Sequence, residues 1–445
     1  MNYQLNAEEL NEVNLSRSLY LEEQKYMSPG LQEVAQLAQL TIRRGNGCWL
    51  EDMDGKKYLD FMAGVAVASL GHSHPKFVKA LQKQLENSFV GSFTSENRLE
   101  LLRLIASITP GNLNKIQLYS GGAEAVEASI RLAKAYTKNF EVISFWGGFH
   151  GKTGGVMGLI GDPWKQNWGP IHPGLHIAPY ADCYRCPFKM EYPGCGIYCL
   201  KFLEKFIENN TAGSIAAIII ETMQGTAGNI IPPPEFIRGV LEIAHKHGAL
   251  LIADEMITGF GRTGKMFGSE HSGIIPDIMT IGKGMGNGFP VSGLISTEEI
   301  TKAYPFSKPS SSSSSYGGNV LAATAALVTI KTIIEDKLVE NSKIVGEYLV
   351  KGLRKMQERF EFIGDVRGIG LLIGVELVKD RKTKEPLDKK ITQQIFLETV
   401  KRGMICMNYK PNFRINPPLI LSKKEADIGL EILNDVFEYT EKHIL

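Results

Sequence analysis

The sequence predicts an α/β protein with a mostly parallel sheet, and two observations predict it. Six short apolar runs rich in β-branched residues recur between about 75 and 300: IQLYS (116–120), EVISFW (141–146), SIAAIIIE (214–221), ALLIADE (249–255), IMTIG (278–282) and SGLIS (292–296). Runs of this length are too short for helices and mark strands buried on both faces of a sheet. Longer amphipathic stretches with helical periodicity lie between them, at 74–88, 122–137 and 235–247. Strands alternating with helices define the α/β class.

The flanks read differently. Residues 1–45 form a polar, partly helical lead-in, and GCWLEDMDGKKYLDF (47–61) alternates apolar and polar residues around a DG turn, as a hairpin does. PSSSSSSYGG (309–318) is a low-complexity loop bounded by Pro and Gly. Helical periodicity follows from about 319 to 360, then a strand-like RGIGLLIGVEL (367–377), a helix at 390–402, FRINPPL (413–419) and a last helix at 424–441. This tail reads as an α+β domain packed with the N-terminal hairpin. The expected boundaries are an N-terminal segment 1–74 belonging to the small domain, a large domain 75–318, and a C-terminal small domain 319–445.

Composition narrows the function classes. A chain of 445 residues with 43% hydrophobic residues has a large core available, which excludes disorder as the main state. Forty-nine Lys and Arg against 48 Asp and Glu leave a net charge of +1, without the basic excess that nucleic-acid binding requires. No apolar run reaches the length of a membrane span, and MNYQLNAEEL resembles neither a secretory signal nor a transit peptide. A cytoplasmic protein is expected.

Five motifs carry chemistry. Lys283 lies among glycines in IGKGMGNGFP (281–290), where a desolvated lysine becomes an amine nucleophile able to form a Schiff base. Asp254 ends the run in LLIADEMITGFGRTG (250–264), where a carboxylate needs a partner; it could cap the next turn or hold a heteroaromatic nitrogen protonated. YSGGAEAVEASIRLAKAYT (119–137) passes through Gly121, Gly122 and Ala123 into a helix whose free N–H groups suit a phosphate. FWGGFHGKT (145–153) places Phe149 and His150 on a glycine-flexed loop, where an aromatic could stack on a flat ring. The serine run ends at Ser315, a hydroxyl for the same phosphate or part of a solvated linker. Together they satisfy one ligand, a phosphorylated heteroaromatic aldehyde: pyridoxal phosphate.

The chain resembles the class III pyridoxal-phosphate aminotransferases from about residue 30 to 440. The resemblance rests on GKKYLDFMAGVAVASLGHSHP (55–75), SGGAEAVEASIRLAKAYT (120–137), FHGKT (149–153), ETMQG (221–225), ADEMITGFGRTG (253–264), KGMGNGFP (283–290), YGGN (316–319), RGIGLLIGVEL (367–377) and RINPPL (414–419). It implies fold type I, pyridoxal 5'-phosphate, small amine and oxo-acid substrates, and a homodimer, or a tetramer, with shared active sites. Within it Lys283 is the Schiff-base lysine and proton carrier, Asp254 partners the ring nitrogen, Glu221 supports the site, and Phe149 stacks on the ring beside His150. Gly121, Gly122 and Ala123 cradle the phosphate, joined by Ser315 from the partner subunit. Arg414 falls where family members bind the substrate carboxylate, a task suited to a guanidinium fork; an ordinary ion pair is the other reading.

The chain also departs from the family. Lys152 stands where a frequent Arg reads a second carboxylate, Thr226 where glutamate-handling members place a Glu that masks the carboxylate-binding arginine, and Ile257 where a polar residue often meets the cofactor's 3′-oxygen. Val65, at the expected pocket mouth, replaces the Tyr of ornithine-type enzymes. Cys183, Cys186, Cys195 and Cys199 share one segment that resembles an insert of the taurine–pyruvate-like and amino-acid-racemase-like branches. They could ligate zinc or an iron–sulfur cluster, or be reduced or partly bridged structural cysteines; no metal is expected. Transamination through Lys283 is the expected activity, with racemisation or β-elimination on the same scaffold as the alternative.

Overall fold

A computed structural model describes residues 14–91 and 93–445. The beginning of the polar lead-in, residues 1–13, lies outside the described residues.

A seven-stranded sheet forms the centre. Its spatial order is Lys115–Tyr119, Ser292–Ser296, Ile278–Ile281, Leu250–Asp254, Ile215–Glu221, Glu141–Phe145, Leu175–Ala178. The last five strands of that order pair in parallel, and Ser292–Ser296 is antiparallel to both neighbours. Each of the six apolar runs coincides with one strand. Every residue of Glu141–Phe145, Ile215–Glu221, Leu250–Asp254, Ile278–Ile281 and Ser292–Ser296 is buried, as strands covered on both faces must be. The seventh strand, Leu175–Ala178, is a partly exposed four-residue edge that the apolar pattern did not reveal. The expected helices form as Pro75–Leu85, Gly122–Thr137 and Pro234–Lys246.

The two ends of the chain meet in one sheet. Trp49–Asp52 and Lys57–Asp60 form the expected hairpin, and Met404–Ile405 adds to it in parallel, pairing Met404 with Leu59. The ends also share a core: a Cβ on Gly429 would lie 2.1 Å from Phe61, and Phe437 packs edge-on to Phe360 and Phe362.

The run 367–377 is not one strand. It holds the turn of a hairpin, Ile363–Ile369 and Leu372–Asp380, with Asn412–Ile415 along the second arm. Gly370 makes the reversal at φ +54°, and a Cβ there would sit 2.4 Å from the Thr263 carbonyl carbon. Only glycine tolerates that approach in that conformation. The helical stretch 319–360 likewise divides into Val320–Glu335 and Leu338–Arg359, with Lys337 in the left-handed region between them. Among the described residues no helix is long and apolar enough to cross a membrane.

Candidate active site

Parallel strands deliver their C-terminal ends to one edge of the sheet, where ligands of open α/β folds bind. Glu221 and Asp254 are the last residues of adjacent strands and direct register partners. Lys283 follows Ile278–Ile281, Phe149 and His150 follow Glu141–Phe145, and Gly122 opens the helix after Lys115–Tyr119. A cavity of ≈350 Å³ is lined by Gly122, Ala123, Phe149, His150, Asp254 and Lys283, closed by apolar Val67, Met256 and Val291.

Asp254 is buried, and both of its oxygens accept hydrogen bonds. Its Oδ2 bonds His150 Nδ1 at 2.7 Å, and its Oδ1 accepts from Thr280 Oγ1 and the Met256 N–H, both at 3.1 Å. Burial alone would raise its pKa; His150 and then Lys283 outweigh burial and hold it low. Burial likewise opposes a charge on His150, but the bond and charge of Asp254 leave its pKa raised. The two shifts describe one buried ion pair with a definite pH window. The carboxylate's contribution to stability is present above its unfolded pKa of about 3.9 and lost as pH falls through the lower folded value. The imidazolium's contribution is complete below about 6.5 and lost as pH rises through its raised folded value. His150→Asn is therefore expected to lower the melting temperature most between about pH 4 and 6.5, with the deficit shrinking as pH rises from there through the folded pKa of His150. A deficit independent of pH would contradict the pair.

Glu221 lies behind this pair. Its carboxylate accepts from the N–H groups of Phe149 and Gly225, each at 2.9 Å, while the Tyr180 hydroxyl donates to its carbonyl at 3.0 Å. Burial pushes the pKa of Glu221 up. The Lys283 ammonium has no hydrogen-bond or ion-pair partner among the described residues, and burial pushes its pKa down despite Asp254 and Glu221. Arg414, on the strand Asn412–Ile415, reaches the Gly225 carbonyl with Nη1 at 3.4 Å. It has no carboxylate within ion-pair distance among the described residues, and burial lowers its pKa. Thr226 is exposed.

Other expected residues lie elsewhere. Val65 packs with Val34, Tyr58 and Phe396, while Val67 faces the cavity. The displacement comes from four successive residues, Ala63 to Ala66, with positive φ, which no periodic pattern announces. Ile257 is buried with Ala66, Met223 and Leu372, its Cδ1 2.7 Å from where a Cβ on Gly225 would be, rather than in the cavity lining. Ser315 is exposed, and Gly121 caps the helix, its carbonyl accepting from Ser292. Lys152 is exposed, its ammonium 5.9 Å from the Phe149 ring and 5.1 Å from Trp164. The four clustered thiols are free and border one small cavity; burial raises Cys183 to about 12 and Cys199 to about 11. Among the described residues no group of three or more His, Cys, Asp or Glu is arranged to hold a metal ion. Thr280, the register partner of Asp254 on the next strand, carries no signal in the sequence.

The residues present fit pyridoxal phosphate. The Gly122 and Ala123 N–H groups have no acceptor among the described residues and open the 16-residue helix Gly122–Thr137 into the cavity, a position that favours an anion. A Cβ on Gly122 would lie 3.2 Å from Met256 Sδ, a tight contact that the Met256 side chain would have to yield to. A family signature described as aminotransferase class-III matches residues 31–437. The chain belongs to this family.

Among the relatives of this class III aminotransferase are a leucine/methionine racemase from Thermococcus litoralis, 37% identical over 86% of this chain and 87% of the relative, and a probable 4-aminobutyrate aminotransferase from Bacillus subtilis, 33% identical over 88% and 91%. A crystal structure of an amine transaminase from an uncultivated Pseudomonas species, in its PLP-bound form, superposes with a TM-score of 0.87 at 29% identity, covering 93% of this chain and 98% of that one. The fold is the fold type I of pyridoxal-phosphate-dependent transaminases, and the family implies that cofactor.

Proposed function

We propose that this aminotransferase uses pyridoxal phosphate to move the amino group of an aliphatic α-amino acid to a 2-oxo acid, as a homodimer. The observation that carries the reading is the pair of desolvated cations without ion-pair partners among the described residues, Lys283 in the cavity wall and Arg414 near enough for its charge to act on Lys283. Unpaired buried charges are costly unless a ligand completes them. Lys283 would carry the cofactor covalently, the start of the helix at Gly122 would hold its phosphate, Asp254 would face its ring nitrogen, and Phe149 its ring. Ser315, exposed in this chain, would serve the site of a second copy. When bound, the cofactor supplies an electron sink that makes the substrate's Cα–H acidic.

The chain's own residues do the rest. Arg414 binds the substrate carboxylate with its fork, leaving the Cα–H toward Lys283. The lowered pKa of Lys283 leaves its amine neutral at a pH where an ordinary lysine is charged, so it can take the proton from Cα. Asp254 keeps negative charge beneath the ring position, and Val67, Met256 and Val291 exclude water and favour an aliphatic side chain.

Racemisation is the second reading, and the racemases among the relatives favour it, including an alanine/serine racemase from Pyrococcus horikoshii, 33% identical over 96% of this chain and 91% of the relative. It requires proton delivery to both faces of Cα. Among the described residues lining the cavity the titratable side chains are Lys283 and the mutually engaged His150 and Asp254, which leaves one mobile base. One base on one face suits amino transfer. Mixing the enzyme with L-leucine and no oxo acid is therefore expected to consume one equivalent of leucine per site and stop until an oxo acid is added. Continued loss of optical rotation with leucine conserved would establish racemisation instead.

A further inference from the structure

The loop Gly225–Asn229 touches both Glu221 and Arg414. The Gly225 N–H holds Glu221 at 2.9 Å, and its carbonyl accepts from Arg414. The loop rests on one face of the sheet formed by Ile363–Ile369, Leu372–Asp380 and Asn412–Ile415. Strand register places Arg367, Gly374 and Arg414 side by side, and Asp365, Glu376 and Asn412 side by side two residues along. Directly opposed residues, and residues two apart on a strand, share a face. Gly374 is bare where the loop crosses: a Cβ there would lie 2.2 Å from the Gly228 carbonyl oxygen.

The loop is gripped on each side of that crossing. Arg367 donates from Nη2 to the Gly228 carbonyl at 2.7 Å and from Nε to the Asn229 carbonyl at 3.1 Å, while Asn412 Nδ2 donates to the Ala227 carbonyl at 2.7 Å. Arg367 is itself fixed by Asp365 at 2.6 Å and Glu376 Oε1 at 2.9 Å. The other oxygen of Glu376 accepts from Arg185 Nε and Nη2 at 3.1 and 3.0 Å. Arg185 lies between Cys183 and Cys186, so the four-cysteine segment buttresses the same carboxylate. The side chains of Arg367 and Glu376 are 12% and 2% exposed, so water screens this chain of charges little.

We infer that Arg367, seated on Glu376, is a positioning residue for carboxylate recognition: it fixes the Gly225–Asn229 loop and, through the Gly225 carbonyl, the guanidinium of Arg414. The inference rests on the carboxylate role proposed for Arg414. A lysine at 367 keeps the charge but cannot span two carbonyls and two carboxylates. A loop released by a fraction of an ångström misplaces Arg414 without touching the ligand.

The test is the affinity of the holoenzyme for 4-methylpentanoate, leucine without its amino group, measured by calorimetry. Arg414→Gln should abolish binding, and Arg367→Lys should weaken it by about tenfold, the scale of a small misplacement. Glu376→Gln, which keeps the shape and removes the charge beneath Arg367, should weaken it in the same direction and covers the case of a poorly folding Arg367 variant. A merely structural role would lower melting temperature in both variants and leave this affinity within twofold of wild type, which would overturn the inference alone. If wild type fails to bind, or Arg414→Gln binds equally well, the carboxylate reading falls and takes the inference with it.

Discussion

Replacing Lys283 with Ala is expected to reduce turnover by on the order of 10⁴-fold, the upper range for losing a positioned acid–base group, with covalent attachment lost as well. The side chain combines two properties that no neighbour duplicates. It stands in the cavity wall without a hydrogen-bond or ion-pair partner among the described residues, and burial shifts it toward the neutral amine. His150 and Asp254, the other titratable groups of the lining, are committed to each other at 2.7 Å and cannot take over a proton at Cα. Steady-state assays on variant protein loaded with pyridoxal phosphate check this; activity within tenfold of wild type would contradict it.

Asp254→Asn is expected to cost about 10²- to 10³-fold in kcat, the scale for removing one preorganised charge interaction from a dry site. The substitution is isosteric, so the bonds from Thr280 and the Met256 N–H can persist while the negative charge vanishes. His150 then loses the carboxylate that raises its pKa, and the negative charge facing the ring position is gone. Cofactor should still bind through the start of the helix at Gly122, so kcat should fall much further than cofactor affinity. Equal losses in both, or a kcat within threefold of wild type, would contradict an electrostatic role.

Much of this site was legible because its residues occupy strand ends. Asp254 terminates an apolar run, where a carboxylate advertises a partner, while Glu221 is reached through the resemblance carried by ETMQG. Lys283 was marked by the glycines around it. What the sequence concealed depends on pairing between distant segments or on unusual backbone. Thr280 reaches Asp254 only because two strands are neighbours in register. Val67 replaces Val65 at the cavity because residues 63–66 turn with positive φ. The arms around Gly370 read as one strand because apolar residues continue through the turn, and the edge strand Leu175–Ala178 lacked the burial that makes strands conspicuous. The grip of Arg367 on the Gly225–Asn229 loop needed the three-strand register to be seen at all.

The central claim is that the amine of Lys283 bears the cofactor. Borohydride reduction of the holoenzyme, followed by proteolysis and mass spectrometry, tests it directly. The account predicts one pyridoxyl phosphate per chain, on Lys283. A modification on any other lysine, or none in protein that is active with pyridoxal phosphate, would contradict it.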